Sequence, residues 1–272
     1  MFTPIPRSGL AAIVRDDVQD ARRITFPSRH RALPCAAIMI RAQIRFGSLT
    51  LGAIPRVVGV VSQAARLAQL AAGTDRDCDI VEVRLDLIGP HTPQWLEHAQ
   101  AIEARGLPVI VTIRLAEEGG QWKQTDESRL PLLETALQHL TAVDIELRSR
   151  LLDQVSALAR RHQRALIISH HDFAKTPPLD ELKKIISAAA NYGTVAKIAT
   201  LTKTEDDVAT LRALFQENCS AALCVLGMGP LGPQTRVEFP KLGSCLTYGY
   251  LDTPVAPGQV SARELMQLLR PT

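Results

Sequence analysis

The run VAKIAT, residues 195–200, indicates how the rest of the chain folds. Its apolar and β-branched residues have the length and composition of a strand that is buried on both faces. Lys197 stands inside this run, where an ammonium has little access to water. Because burial disfavours the charged form, such a lysine loses its proton more readily and can form an imine with a ketone. The alternative is that Lys197 lies at a strand end and extends its ammonium to solvent.

Seven more apolar runs of similar length occur along the chain, and segments with helical spacing separate them. In chain order the eight runs are RVVGVVS, CDIVEVRLD, LPVIVTIR, AVDIELR, RALIISH, TVAKIAT, AALCVLGM and SCLTYGY. Strands that alternate with crossover helices form a parallel sheet, and eight such units in ~220 residues are typical of a closed barrel. We therefore predict an α/β fold, a closed eight-stranded parallel (β/α)8 TIM barrel with an N-terminal extension. Glycines and prolines in residues 227–233 predict that the last connection is a loop for most of its length.

The first 43 residues differ in composition from the rest of the chain. They contain seven arginines but no lysine and no glutamate, and their apolar residues follow no clear period. A segment of this kind lacks the pattern that builds a core. We predict a poorly ordered extension over residues 1–43 and a catalytic barrel over residues 44–272.

Composition excludes several classes of partner. The formal charge of +3 is small and the basic residues are dispersed, so a nucleic-acid partner is not indicated. No apolar run approaches the ~18 residues of a membrane span. The five cysteines are scattered without metal-ligand spacing, which predicts no metal site and buried thiols in a reducing compartment, the cytoplasm.

Polar residues recur where the predicted strands end, and barrel enzymes carry their reactive groups at that end. Glu82, Arg84 and Asp86 are two residues apart and so share one strand face, where they must pair with one another or with a ligand. Of the adjacent His170 and His171, one must point away from the barrel. The other candidates at this end are Arg114, Glu118 in the loop AEEGGQW, Lys197, Arg236 and the loop LDTPVAPGQ at 251–259. Each alone has a structural alternative, such as an ion pair, a surface arginine or a turn; their shared location favours a site.

Six of these stretches together resemble the type I 3-dehydroquinate dehydratase family, the imine-forming dehydroquinases of the shikimate pathway. They occur in family order and spacing over roughly residues 44–270. The stretches are EVRLD (82–86), TIRLAEEGG (112–120), ISHHDFAKTP (168–177), VAKIAT (195–200), MGPLGPQTR (228–236) and APGQ (256–259).

The resemblance implies a lyase that converts 3-dehydroquinate to 3-dehydroshikimate for aromatic amino acid biosynthesis, without a cofactor and as a homodimer. Lys197 would form the imine, His171 would be the general acid and base, and Glu118 would orient that histidine. The residues implied to hold the substrate's hydroxyls and carboxylate are Glu82, Arg84, Arg114, Arg236 and Gln259. Val255 and Pro230 depart from the serine and lysine that are common in the family, which bears on affinity more than on reaction type.

Two other functions stay open from the residues alone. A class I aldolase would use the same lysine to cleave a carbon–carbon bond, and it would release an aldehyde where a dehydratase produces an enone. A barrel that has lost catalysis could serve as a binding or regulatory protein. The presence together of Lys197, His171 and Glu118 argues against that last function.

Overall fold

The computed structural model describes residues 44–73, 77–92, 94–216 and 222–270. The extension predicted over residues 1–43 lies outside the described residues. Eight parallel strands form one sheet, in which the first seven pair in chain order and the eighth pairs back with the first. The strands are β3 (Arg56–Val61), β4 (Ile80–Arg84), β5 (Val109–Thr112), β6 (Ala142–Glu146), β7 (Ala165–Asp172), β8 (Val195–Leu201), β9 (Ala222–Met228) and β10 (Leu246–Tyr250), and they are preceded by β1 (Ile44–Phe46) and β2 (Leu49–Leu51). The predicted TIM barrel is confirmed.

Helices connect the strands and cover the outer surface of the barrel. They are α1 (Ala64–Ala72), α2 (Leu85–Ile88), α3 (Trp95–Ala104), α4 (Leu130–His139), α5 (Leu152–His162), α6 (Leu179–Ala190), α7 (Glu205–Ala213), α8 (Gly232–Leu242) and α9 (Ala262–Leu269). Outward-facing strand residues such as Val81, Val143 and Ile198 pack with helix residues such as Leu133 and Leu182 in one large apolar cluster. Within the ranges described, no helix is long and apolar enough to cross a membrane.

The barrel interior changes character along its axis, because alternate residues of each strand point inward. Near the strand starts the interior is apolar, with Ile80, Ile110 and Val195 among its buried members. Two residues further along the same strands, the side chains are Glu82, Thr112 and Lys197, which are also buried. Polar chemistry is thereby confined to the half of the barrel where the strands end.

A short antiparallel hairpin, β1 and β2, packs against the apolar end of the barrel. Its residues Phe46 and Leu51 are fully buried in the same cluster as the inward-facing residues of the strand starts. The turn lies tightly against the barrel, since a Cβ on Gly47 would come within 2.6 Å of the Thr141 hydroxyl. The sequence analysis did not predict this hairpin, because two three-residue strands are too short for alternation to be recognised.

The connection between β9 and β10 corrects a prediction. It was expected to be mostly loop, but α8 occupies residues 232–242. Pro233 lies in the first turn of this helix, where the missing N–H has no intrahelical partner to lose. Gly232 allows a close approach, because a Cβ there would meet the Gly227 carbonyl oxygen at 3.0 Å. The glycines and prolines therefore position the helix and do not prevent it.

The sheet is nearly closed between β9 and β10. The Cys245 amide donates to the Leu223 carbonyl at 2.9 Å. The Ser244 hydroxyl accepts from the Val225 amide at 3.1 Å and donates to the Leu246 carbonyl at 2.9 Å. Among the described barrel strands, β9 and β10 are the one neighbouring pair that is not joined by a ladder of backbone hydrogen bonds. The Ser244 side chain provides hydrogen bonds at that place.

The hairpin yields a prediction about stability. Phe46→Ala should lower the free energy of unfolding by about 3–4 kcal/mol, because it empties a fully buried position at the end of the barrel. Ile54→Ala, at a residue that is 47% exposed, is the matched control and should change stability by less than about 0.5 kcal/mol. Equilibrium denaturant unfolding measures both, and equal effects would contradict the structural role given to the hairpin.

Candidate active site

A cavity opens where the barrel strands end, with about 540 Å³ of space between protein atoms. All eight residues singled out from the sequence line it: Glu82, Arg84, Arg114, Glu118, His171, Lys197, Arg236 and Gln259. They lie on three strands (β4, β7 and β8), in the segments after β5 and β10, and in α8, so the barrel brings them together from positions far apart in the chain. Val60, Ala199, Leu226, Met228 and Val255 supply the apolar part of the lining.

Lys197 is buried in the cavity floor, with 4% of its surface exposed. The alternative in which its ammonium extends to solvent is therefore wrong. Its Nζ lies 2.9 Å from Asp144 Oδ2 and 3.7 Å from Glu82 Oε1. The same nitrogen lies over the Tyr248 ring, 4.1 Å from the centroid. Lys197 is thus an ion-paired ammonium and not, as the sequence alone suggested, an amine in purely apolar surroundings.

Asp144, which the sequence analysis did not single out, is the closest partner of that lysine. Its other oxygen accepts from Arg114 at 2.7 Å and from the Ser169 hydroxyl at 2.6 Å. Burial by itself raises the pKa of this carboxyl, but the charges of Arg114 and Lys197 outweigh burial and hold the pKa well below its usual range. The sequence does contain a sign of its importance, because Asp144 is a carboxylate inside an apolar strand run, as Glu82 is.

Arg114 lines the cavity, yet its guanidinium is largely occupied by protein acceptors. It donates to Asp144 and Ser169 and forms an ion pair with Glu146 at 3.0 Å. Burial would lower the pKa of this guanidinium, but Asp144 and Glu146 raise it. Arg114 was predicted to hold substrate, and these contacts give it a second task, which is to hold Asp144 against Lys197.

A second buried arginine extends this chain of charges away from the cavity. Arg129 is fully buried and donates to Glu146 Oε2 at 2.7 Å and to the Ile113 carbonyl at 2.6 Å. It also pairs with Asp126, whose carboxylate accepts from the Arg150 amide at 2.8 Å. The sequence analysis missed Arg129 because it lies in a segment that resembles a solvent-facing helix.

His171 and Glu118 form the second functional pair in the cavity. Glu118 Oε2 lies 2.9 Å from His171 Nδ1 and accepts from the His171 backbone N–H at 3.0 Å. Burial, and after it the charges of Arg114 and Lys197, lower the pKa of His171 well below its usual value. The imidazole is therefore neutral at neutral pH, and where Nδ1 donates its proton to the Glu118 carboxylate the lone pair lies on Nε2. His170 does not line the cavity and points to the outside of the barrel, as expected for one of the two histidines.

Glu118 is held by a loop that requires two glycines. Gly119 has φ +78, and a Cβ on Gly120 would meet the Arg114 carbonyl oxygen at 2.0 Å. A Cβ on Gly119 would also strike the Phe173 ring, which stacks on His171 with ring centroids 6.4 Å apart. Burial raises the pKa of Glu118 to about 7, even though Arg114 opposes the shift. Its Oε1 is buried and has no hydrogen-bond partner among the described residues.

Arg236 is a buried cation without a carboxylate partner in the described part of the chain. Its Nε donates to the Gly258 carbonyl at 3.1 Å and its NH1 to the Tyr248 carbonyl at 2.8 Å. Burial lowers the pKa of this guanidinium to about 10, and the Cys224 thiol opposes that shift only in part. A guanidinium that faces a cavity in this state is suited to bind an anion, above all a carboxylate.

The remaining predicted residues bind protein atoms at the cavity wall. Glu82 accepts from the Thr112 hydroxyl at 2.7 Å, and Arg84 forms a two-point pair with Asp86 at 2.7 and 2.9 Å. Asp86 lies in α2, not on the strand as expected, because β4 ends at Arg84. Gln259 accepts from the Val255 amide at 2.9 Å and so shapes its own loop.

Val255 faces the cavity and Pro230 does not. Among the described residues, no three His, Cys, Asp or Glu side chains are grouped as a metal site would require.

Comparison with known proteins gives a consistent result. A sequence model of the family described as type I 3-dehydroquinase matches residues 57–271. The 3-dehydroquinate dehydratase of Methanocella arvoryzae is 36% identical over 217 residues, which cover 79% of this chain and 96% of that protein. The corresponding protein of Methanothrix thermoacetophila is 38% identical over 220 residues, covering 79% and 90%.

Solved structures agree with the sequence comparison. The 3-dehydroquinate dehydratase of Aquifex aeolicus VF5 is similar at a TM-score of 0.69 with 29% identity, covering 78% of this chain and 96% of that one. The enzyme of the same name from Geobacillus kaustophilus HTA426 gives a TM-score of 0.75 with 25% identity, covering 84% and 95%. With the matched region spanning the whole barrel and all the cavity residues described above, the chain belongs to the type I 3-dehydroquinase family.

Proposed function

We propose that this protein dehydrates 3-dehydroquinate to 3-dehydroshikimate through an imine on Lys197, as a lyase of the shikimate pathway. The observation that carries the proposal is the shared cavity: it holds a buried lysine, a neutral histidine with its carboxylate, and a buried arginine that has no carboxylate partner among the described residues. Family membership and the names of the relatives support the same substrate.

Imine formation fits the charge that surrounds Lys197. An ammonium that condenses with a ketone becomes a protonated imine and releases one water, so the positive charge on nitrogen is kept. Asp144, 2.9 Å from Nζ, is therefore a counter-ion for the lysine both before and after the reaction. Arg114 holds that carboxylate ionised and in place, which favours the charged imine that draws electrons from the neighbouring carbon.

Proton removal is the task of His171. The protonated imine acidifies the adjacent C–H, and the neutral imidazole takes that proton at Nε2 while Glu118 bonds Nδ1. The resulting enamine expels the β-hydroxyl, which leaves as water with the proton that His171 has just received. Hydrolysis of the product imine then returns the oxygen to the ketone and frees Lys197.

The charged and polar side chains that line the cavity orient the substrate. Arg236 binds the substrate carboxylate, since its guanidinium has no other anionic partner in the described chain. Glu82, Arg84 and Gln259 line the rest of the cavity and bind the ring hydroxyls. Arg114 contributes to this wall, although its main contacts are to Asp144 and Glu146.

The subunit state and the compartment stay predictions. A homodimer follows only from the family resemblance. A cytoplasmic location is supported by the buried thiols of Cys78 and Cys224, which are typical of a reducing compartment.

The imine itself can be trapped. Sodium borohydride added together with 3-dehydroquinate should inactivate the protein and leave ligand mass on the peptide that contains Lys197, because reduction makes the C–N bond permanent. Lys197→Arg, which keeps a cation beside Asp144 but removes the nucleophile, is the matched control and should take up no mass. Peptide mass spectrometry measures both, and an adduct on Lys175 or Lys203 would contradict the assignment.

The two adjacent histidines provide a comparison within one strand. His171→Ala should still form imine but should slow proton removal by at least ~100-fold, the low end of general acid and base catalysis. His170→Ala, at the neighbouring position outside the cavity, should be far milder. Steady-state rates and single-turnover enone absorbance measure the difference. If His170→Ala slows the reaction more than His171→Ala does, the base is His170. Release of an aldehyde would indicate an aldolase.

A further inference from the structure

Tyr248 is a polar residue of the cavity to which the proposed reaction gives no task. It lies on β10, is 3% exposed, and carries its ring beneath the Lys197 nitrogen at 4.1 Å. Its hydroxyl is buried and has no hydrogen-bond partner among the described residues. The residue lines the same cavity as Lys197 and His171.

An unpartnered buried hydroxyl is unfavourable, because it has lost its hydrogen bonds to water and gained none in return. A phenylalanine would keep the contact between ring and ammonium without that loss. The hydroxyl is therefore satisfied only when something occupies the cavity. The molecule that brings oxygens next to this ring is the one that reacts with Lys197.

The geometry limits which oxygen that is. The hydroxyl projects from the edge of the ring over which Nζ stands, 4.1 Å from the centroid, so a group on the carbon that Nζ attacks lies within reach of it. Burial, and after it the negative charge of Glu82, raise the pKa of the Tyr248 hydroxyl well above its usual value. It keeps its proton throughout and acts as a hydrogen-bond donor.

We propose that Tyr248 is a further catalytic residue, whose hydroxyl donates a hydrogen bond to the oxygen on the carbon that Lys197 attacks. As the C–N bond forms, the electron pair of the C=O bond moves onto that oxygen, where the hydrogen bond stabilises it. The two protons that leave the lysine nitrogen end on the departing oxygen as water, and the tyrosine keeps its own. The inference rests on the proposed imine reaction and assigns Tyr248 to imine formation, not to C–H removal.

Tyr248→Phe tests the inference, because it deletes only the hydroxyl. With enzyme in excess over 3-dehydroquinate, samples reduced by borohydride at successive times give the rate at which the Lys197 adduct forms. We expect that rate to fall roughly 3- to 10-fold, as for loss of one neutral hydrogen bond, with the same final yield. Tyr192→Phe is the matched control, since Tyr192 packs with the helices outside the barrel, and should leave the rate unchanged.

An isotope effect separates a catalytic role from a structural one. Substrate deuterated at the carbon between the ketone and the leaving hydroxyl reports how far C–H removal limits turnover. In Tyr248→Phe the isotope effect on kcat should become smaller than in the unaltered protein, because imine formation has become slower. The melting temperature should not fall, since the deleted hydroxyl has no hydrogen-bond partner among the described residues of the ligand-free protein.

Two results would overturn the inference. The first is an unchanged rate of adduct formation in Tyr248→Phe. The second is a raised KM while the rate of adduct formation at saturating substrate stays the same, which would make the hydroxyl a simple binding contact. If the unaltered protein forms no Lys197 adduct at all, the proposed function fails as well. If it forms the adduct and Tyr248→Phe forms it equally fast, only the role of Tyr248 fails.

Discussion

The ion pair between Lys197 and Asp144 is the interaction on which the rest of this site depends. A lone ammonium or a lone carboxylate at this depth would be very costly, so each must be partnered and hydrogen-bonded. Asp144 is in turn held by Arg114, Arg114 pairs with Glu146, and Glu146 pairs with the fully buried Arg129. Alternating charges thus continue from the cavity floor to the barrel wall, with Lys197, Asp144 and Glu146 fixed on strands β8 and β6.

The polar atoms that this network leaves unsatisfied indicate where the ligand binds. Arg236 has no carboxylate partner, Glu118 Oε1 has no donor, and the Tyr248 hydroxyl has no partner at all among the described residues. All three residues line one cavity together with Lys197 and His171. Buried polar groups are normally hydrogen-bonded and buried charges paired, so two unpartnered atoms and one cation without a carboxylate around one cavity are better explained by a polar, anionic ligand than by separate defects. The apolar half of the barrel is closed by the hairpin at 44–51 and serves to support the site.

The barrel and most residues of the cavity could be predicted from the sequence, because the signals that identify them are local. Eight apolar runs with helical segments between them identified the barrel, and polar residues at the strand ends identified eight residues that the structure brings to one cavity. The missed features depend on distant contacts. The hairpin is too short to show alternation, and α8 begins in a glycine and proline segment whose close packing is visible only in three dimensions. Asp144 lies in an apolar strand run and Arg129 in a segment that resembles a solvent-facing helix. Neither residue can be assigned a role until its partner, Lys197 or Glu146, is known.

The crystal structure of the borohydride-reduced adduct would test both the imine on Lys197 and the orientation of the ligand, since it places the ligand's atoms against these charges. The account predicts a continuous bond from Lys197 Nζ to the ligand ring, with Asp144 still paired to that nitrogen. It also predicts the ligand carboxylate on Arg236 and His171 Nε2 beside the carbon that loses its proton. A ligand bonded to another lysine, or one whose carboxylate lies away from Arg236 with Asp144 turned from the nitrogen, would contradict it.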